Sequence, residues 1–125
     1  PAFKHLKDPE GKGSKDRFFE LRIYESPSER MAAMKMDMFC GGGEIDIFNS
    51  VGLNSVFFGS ARIAANFPQL TYMLVHEDQA AADAAWDGFK NAEAWQKLRT
   101  MEKYEGIVSH ITKYYLVALP YSQIK

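Results

Sequence analysis

The sequence predicts an α+β domain with the element order β-α-β-β-α-β. Three observations carry this: an alternating run over Phe18–Glu25, two amphipathic helical stretches each opened by a capping signal, and a closing run rich in branched and aromatic residues over Ile107–Leu119. The order is the split βαβ arrangement of ferredoxin-like domains, in which two helical segments cover one face of a four-stranded antiparallel sheet. A chain of 125 residues, 46% hydrophobic and 25% charged, is long enough for one core and short for two.

Residues 1–16 read as a polar arm or linker and residues 17–125 as the domain, because Lys7–Arg17 holds a Pro, two Gly and no apolar residue. In the first strand Phe19, Leu21 and Ile23 face one way, and Phe18, Glu20, Arg22 and Tyr24 the other. Ser26, Pro27 and Glu29 then supply an N-cap, a first-turn Pro and the far half of a capping box. Met31, Met34 and Met38 fall on one face of the helix that follows, so a Met-rich stripe should lie on the sheet.

Gly41–Gly43 should stop or kink that helix. The spacing of Ile45, Phe48 and Gly52 permits either a strand or a short helical piece over Glu44–Phe48, and the helical piece is preferred. Asn54–Ile63 reads as the second strand, Asn66–Pro68 as a turn and Leu70–His76 as the third strand. Glu77 and Asp78 cap an Ala-rich helix with Ala82, Ala85, Trp86 and Phe89 on one side. Asn91 is expected to re-cap a second segment carrying Trp95 and Leu98.

Helices on one face leave the other to be explained. With the apolar set of the first strand turned to the helices, the open face would carry Phe18, Glu20, Arg22 and Tyr24, joined by Leu70, Tyr72, Leu74 and His76 from the third strand. That set is too aromatic for open water and too charged for a dry core. A second sheet packed on it would bury the aromatics and leave a partly polar cavity between the sheets. A homodimer through the sheet face is the simplest source of that sheet, and a tandem sister domain in a longer parent chain is the alternative.

The segments FFELRIYES, ERMAAMKMDMF, GLNSVFF, LTYMLVHED, AAWDGFKNAEAWQKL and LVALPYSQI together resemble the NIPSNAP family, within the dimeric αβ-barrel group. The resemblance runs over about Arg17 to Gln123. It implies the ferredoxin-like fold and a dimeric barrel, and it brings no catalytic signature. This sequence departs from the pattern in carrying Tyr72 where the family often has His and Leu74 where it often has an aromatic.

Candidate site residues follow from the presumed cavity face. His76, beside Glu77 and Asp78, is a candidate general base, weighed against a plain strand-end role; His110, sharing a face with Thr112 and Tyr114, is the second catalytic candidate. Arg22, Tyr24 and Tyr72 complete the ligand-binding set with His76, His110 and Tyr114, since a buried Arg demands an anionic partner and Tyr hydroxyls demand hydrogen bonds. The internal alternative is that Glu20 or a carboxylate of a second copy satisfies Arg22. Histidine spacing of the HxH or HExxH type is absent, so neither metal nor cofactor is expected.

The lone Cys40 cannot form an internal disulfide and sits near a helix C-terminus, which disfavours a reactive thiolate. With 15 basic and 16 acidic residues and a net charge of -1, nucleic acid is excluded as a first expectation. No apolar run approaches the ~20 residues of a membrane span, so a soluble, by default cytoplasmic, chain is expected. Because the sequence opens on Pro1, an upstream targeting segment could precede it. Three function classes remain: a barrel domain binding a small apolar or aromatic molecule, a cofactor-independent oxygenase or related enzyme by fold analogy, and a protein-interaction module.

Overall fold

The computed structural model describes residues 15–125, so the proposed polar arm lies almost wholly outside the described residues. The chain runs β1 (Phe18–Glu25), α1 (Glu29–Cys40), α2 (Glu44–Ser50), β2 (Asn54–Ser60), β3 (Gln69–His76), α3 (Gln79–Asn91), α4 (Glu93–Arg99), a 3-10 turn (Glu102–Tyr104) and β4 (His110–Leu116). The four strands form one antiparallel sheet in the order β2-β3-β1-β4. Each crossover is a pair of helices, and the ferredoxin-like α+β class is the architecture observed.

Capping explains where the helices begin. Ser28 caps α1 by accepting a hydrogen bond from Met31 N at 3.2 Å, and Asp78 caps α3 by accepting one from Ala81 N at 2.8 Å. Ser26 is therefore not the cap; its hydroxyl donates to Ile107 O at 2.7 Å and ties the start of the crossover to the last loop. Asn91 does not re-cap α4 either. The N-cap there is Ala92, without a side-chain bond, and Asn91 Nδ2 donates back to Asp87 O at 2.9 Å. Residues 44–48 are helical, in α2. The kink before them needs Gly42, where a Cβ would come 2.7 Å from Met38 O and 2.9 Å from the Tyr104 hydroxyl, and Gly43, at φ 88°.

Strand ends also move. β2 stops at Ser60, leaving Ile63 97% exposed, and β4 spans only His110–Leu116 of the expected Ile107–Leu119. The tail beyond β4 bends back, and Ile124 packs against Phe19, Val56 and Val75.

The main correction concerns which face of the sheet the helices cover. The core under the helices contains Tyr24, Leu70, Tyr72 and Leu74 with Met38, Phe39, Phe48, Ala85 and Phe89. The set assigned to an open face is thus the buried one. Leu21 and Ile23 remain half-buried on the far side, in register with Met73 and Thr71 of β3 and with Tyr114 and Thr112 of β4. Alternation divides a strand into two sets but is silent on which one meets the helices. Here α3 brings the Trp86 indole N–H to Glu20, while Lys35 of α1 and Glu44 of α2 pair with each other beside the same face. Leu74, fully buried there, is not a residue of an exposed interface.

Candidate functional site

On the helix side of the sheet five side chains follow one another in space: His76 and Glu20, then Arg22, then the Tyr24–Tyr72 pair. Their common face is set by the β1–β3 register, which sets Glu20 opposite Leu74, Arg22 opposite Tyr72 and Tyr24 opposite Leu70. Glu20 Oε2 accepts from Trp86 Nε1 at 2.8 Å and lies 3.1 Å from His76 Nε2, a contact that requires the hydrogen on that ring nitrogen. Arg22 Nη1 lies 3.5 Å from Glu20 Oε1, and the guanidinium stacks 4.2 Å from the Trp86 ring centroid. The hydroxyls of Tyr24 and Tyr72 are 2.9 Å apart.

A second buried pair closes the far end. Lys35 Nζ donates to Glu44 Oε2 at 2.8 Å and lies 4.5 Å from the Phe39 ring and 5.3 Å from that of Tyr24. Sequence reasoning missed both residues, although a signal existed. Lys35 interrupts the Met31, Met34, Met38 stripe at helical spacing, and Glu44 lies one turn before Phe48 on the face that α2 buries.

Electrostatics differ along the row. Burial pushes Glu20 upward, but the hydrogen bonds from His76 and Trp86 and the Arg22 charge together outweigh it and hold the carboxyl below its ordinary value. Burial raises Glu44 and lowers Lys35, with their mutual attraction opposing both shifts. Tyr24 is raised, and Tyr72, the more deeply buried, is raised well above the ordinary tyrosine value, in both cases first by burial. The two phenols are therefore neutral hydrogen-bonding groups near neutral pH.

These groups border a cavity of about 680 Å³ between α2, α3, α4 and the β1–β4 side of the sheet. Its floor is Glu20, Arg22 and Tyr24 with Lys35 and Glu44, while Phe48, Trp86, Phe89, Trp95, Val108 and Ile111 supply apolar walls. That volume falls within the range of small-molecule sites, which are mostly apolar with a few converging polar groups.

The six residues expected to form the site divide. Arg22 and Tyr24 line the cavity; Tyr72 stands behind Tyr24 and His76 behind Glu20, both in contact with the floor but not on it. His110 and Tyr114 are on the opposite face, because the β1–β4 register pairs them with Glu25 and Leu21. Lys113 and Tyr115, one residue away from Tyr114 on either side, line the cavity in its place. The cavity that holds Arg22 and Tyr24 therefore lies between sheet and helices. Cys40 is exposed at the end of α1, with its thiol raised by partial burial and by Asp37. Among the described residues no group of three or more His, Cys, Asp or Glu is placed to hold a metal ion.

No protein-family model and no curated protein sequence matches this chain. Solved structures do. A NIPSNAP family protein from Agrobacterium tumefaciens superposes with a TM-score of 0.74 at 15% identity, over 87% of this chain and 99% of that one. The fold is NIPSNAP-like. An uncharacterized NIPSNAP-like domain protein from Burkholderia xenovorans gives a TM-score of 0.71 at 15% identity, over 87% and 90% of the two chains. SnoaB, a cofactor-independent oxygenase from Streptomyces nogalater, is more distant, with a TM-score of 0.53 at 12% identity over 83% and 94%. The NIPSNAP-like fold agrees with the resemblance carried by the ELRIY strand and the AAWDGFKNAEAWQKL helices. At such identities a shared fold says nothing about a shared reaction.

Proposed function

We propose that this NIPSNAP-like domain binds a small, planar, largely apolar molecule in the cavity between its helices and sheet. The carrying observation is the cavity itself: about 680 Å³ walled by Phe48, Trp86, Phe89 and Trp95 above a floor of buried charged groups. Such a floor is costly to fold unless paired, and here the pairing leaves polar groups facing a space of ligand size. The test is calorimetric titration of the chain with 2-naphthamide, a neutral planar probe, and repetition with Val108→Trp, which fills the cavity. Saturable binding abolished by the filling substitution is expected. Binding indifferent to the substitution would overturn the reading.

The oxygenase alternative draws only on the likeness to SnoaB. Neither His76 nor His110 lines the cavity, so the proposed histidine bases give it no support.

A second reading concerns assembly. The sheet face away from the helices presents Leu21, Ile23, Phe57 and Met73 half-buried, and Tyr114 and Leu116 are 50% and 42% exposed. This apolar face fits a second copy of the chain, or a tandem sister domain, packed sheet to sheet. Among the described residues no helix is long and apolar enough to cross a membrane.

A further inference from the structure

We propose that the cavity ligand is a carboxylic acid, its carboxylate received by Arg22 and Lys113 and its apolar body held by the aromatic walls. The inference rests on the cavity reading above and adds the ligand's charge and polarity. Arg22 and Lys113 are directly opposite each other on β1 and β4, and both line the cavity. Like charges placed opposite on neighbouring strands destabilise a sheet, so their pairing calls for an anion between them.

None of the charged groups around the cavity supplies that anion in full. Lys35 is bonded to Glu44 at 2.8 Å, Lys90 to Asp87 at 3.4 Å, and Asp83 accepts from Gln79 at 2.8 Å. Glu20 is shared among His76, Trp86 and Arg22, and its approach to Arg22 is the long one, 3.5 Å. Arg22 is 8% exposed, makes no hydrogen bond among the described residues, and keeps its Nε buried without a partner. Lys113 has no ion pair among the described residues and stands exposed at the sheet edge, beside the cavity mouth.

A guanidinium in this state is short of acceptors, and carboxylate is the planar acceptor that matches its fork. The Trp86 ring lies against the guanidinium, 4.2 Å from its centroid to Cζ, so an acid entering the cavity would meet a guanidinium supported on one side by an aromatic ring. The ammonium of Lys113 would add a second, more solvated contact.

The probes are 2-naphthoate and its neutral isostere 2-naphthamide, titrated calorimetrically into the intact chain at low and high salt. Naphthoate is expected to bind about tenfold more tightly than the amide, the scale of one charge-assisted hydrogen bond, with an advantage that shrinks as salt rises. Arg22→Met should erase the advantage. Lys113→Met, at an exposed edge position that leaves the core untouched, should reduce it about threefold. Equal affinity of acid and amide, or an acid preference unmoved by Lys113→Met and by Arg22→Met in a folded variant, would overturn the carboxylate assignment while the cavity reading stands. If neither probe binds, both readings fall together.

Discussion

The two faces of the sheet reverse the usual distribution of polarity. Beneath the helices lie Glu20, Arg22, His76, Lys35 and Glu44, each less than a tenth exposed, among Tyr72 and Leu74, which are fully buried. On the far face the strands carry Leu21, Ile23, Met73, Tyr114 and Leu116, half-buried or exposed. Charges on the inside are retained only where partners offset their desolvation, and apolar residues on the outside form a patch of the kind interfaces use. One strand thus serves both, with odd and even positions of β1 assigned to different tasks.

The sharpest break of this contrast is a charge placed on each face in turn. Leu74→Glu puts an unpaired carboxylate into the dry side of the sheet, and a loss of more than about 4 kcal/mol is expected. The measurement is urea denaturation, and a cooperative transition near the unmutated midpoint would contradict the burial argument. Ile23→Glu, one strand away on the other face, should keep its cooperative transition.

Removing a member of the buried row should cost nearly as much. Glu20→Gln leaves Arg22 and His76 without their shared carboxylate, and a destabilisation of about 3 kcal/mol is expected from breaking a buried pair. Its pH dependence has a definite sign. Because the folded protein holds Glu20 below the ordinary value of 4.5, the stability it contributes is present above that value and is lost as the pH falls through the lower, folded one. The midpoint difference between the unmutated chain and Glu20→Gln should therefore be largest near neutrality and shrink in acid. A difference independent of pH would show that the Glu20 charge is not what the row requires.

Assembly is tested on the other face. If the apolar surface pairs with its own copy, the chain is a dimer at micromolar concentration, and Ile23→Glu gives a scattering mass near 14.2 kDa, that of one chain. A monomeric unmutated chain would remove self-association and leave a sister domain as the cover. The smallest effect expected is local. Ser28→Ala deletes the cap of α1 and should cost about 1 kcal/mol by thermal denaturation, and an unchanged midpoint would contradict the cap assignment.

Much of the local structure was legible in the residues. Phe18–Glu25 alternates and is a strand over that span; Asp78 precedes an Ala-rich helix and caps it; Met31, Met34 and Met38 lie toward the core. These features depend on contacts a few residues apart, which sequence spacing encodes. The site was legible in part. Arg22 and Tyr24 were grouped by their common parity and do share the cavity floor, and Tyr72 joins them through its hydroxyl. His110 and Tyr114 were grouped with them in error, because strand parity relates residues within β4 but not to β1 until the register is known.

Periodicity and capping are properties of neighbouring residues, and they encode the element order, the topology class and the two sets of side chains on β1. Which set the helices cover is fixed in three dimensions. That choice depends on whether groups distant in the chain can satisfy buried charges, and it is settled by Trp86 reaching Glu20 from 66 residues away and by the Lys35–Glu44 pair forming beside Tyr24. Apolar content alone favoured the opposite choice, because it counts what a residue avoids and not the partners the fold provides.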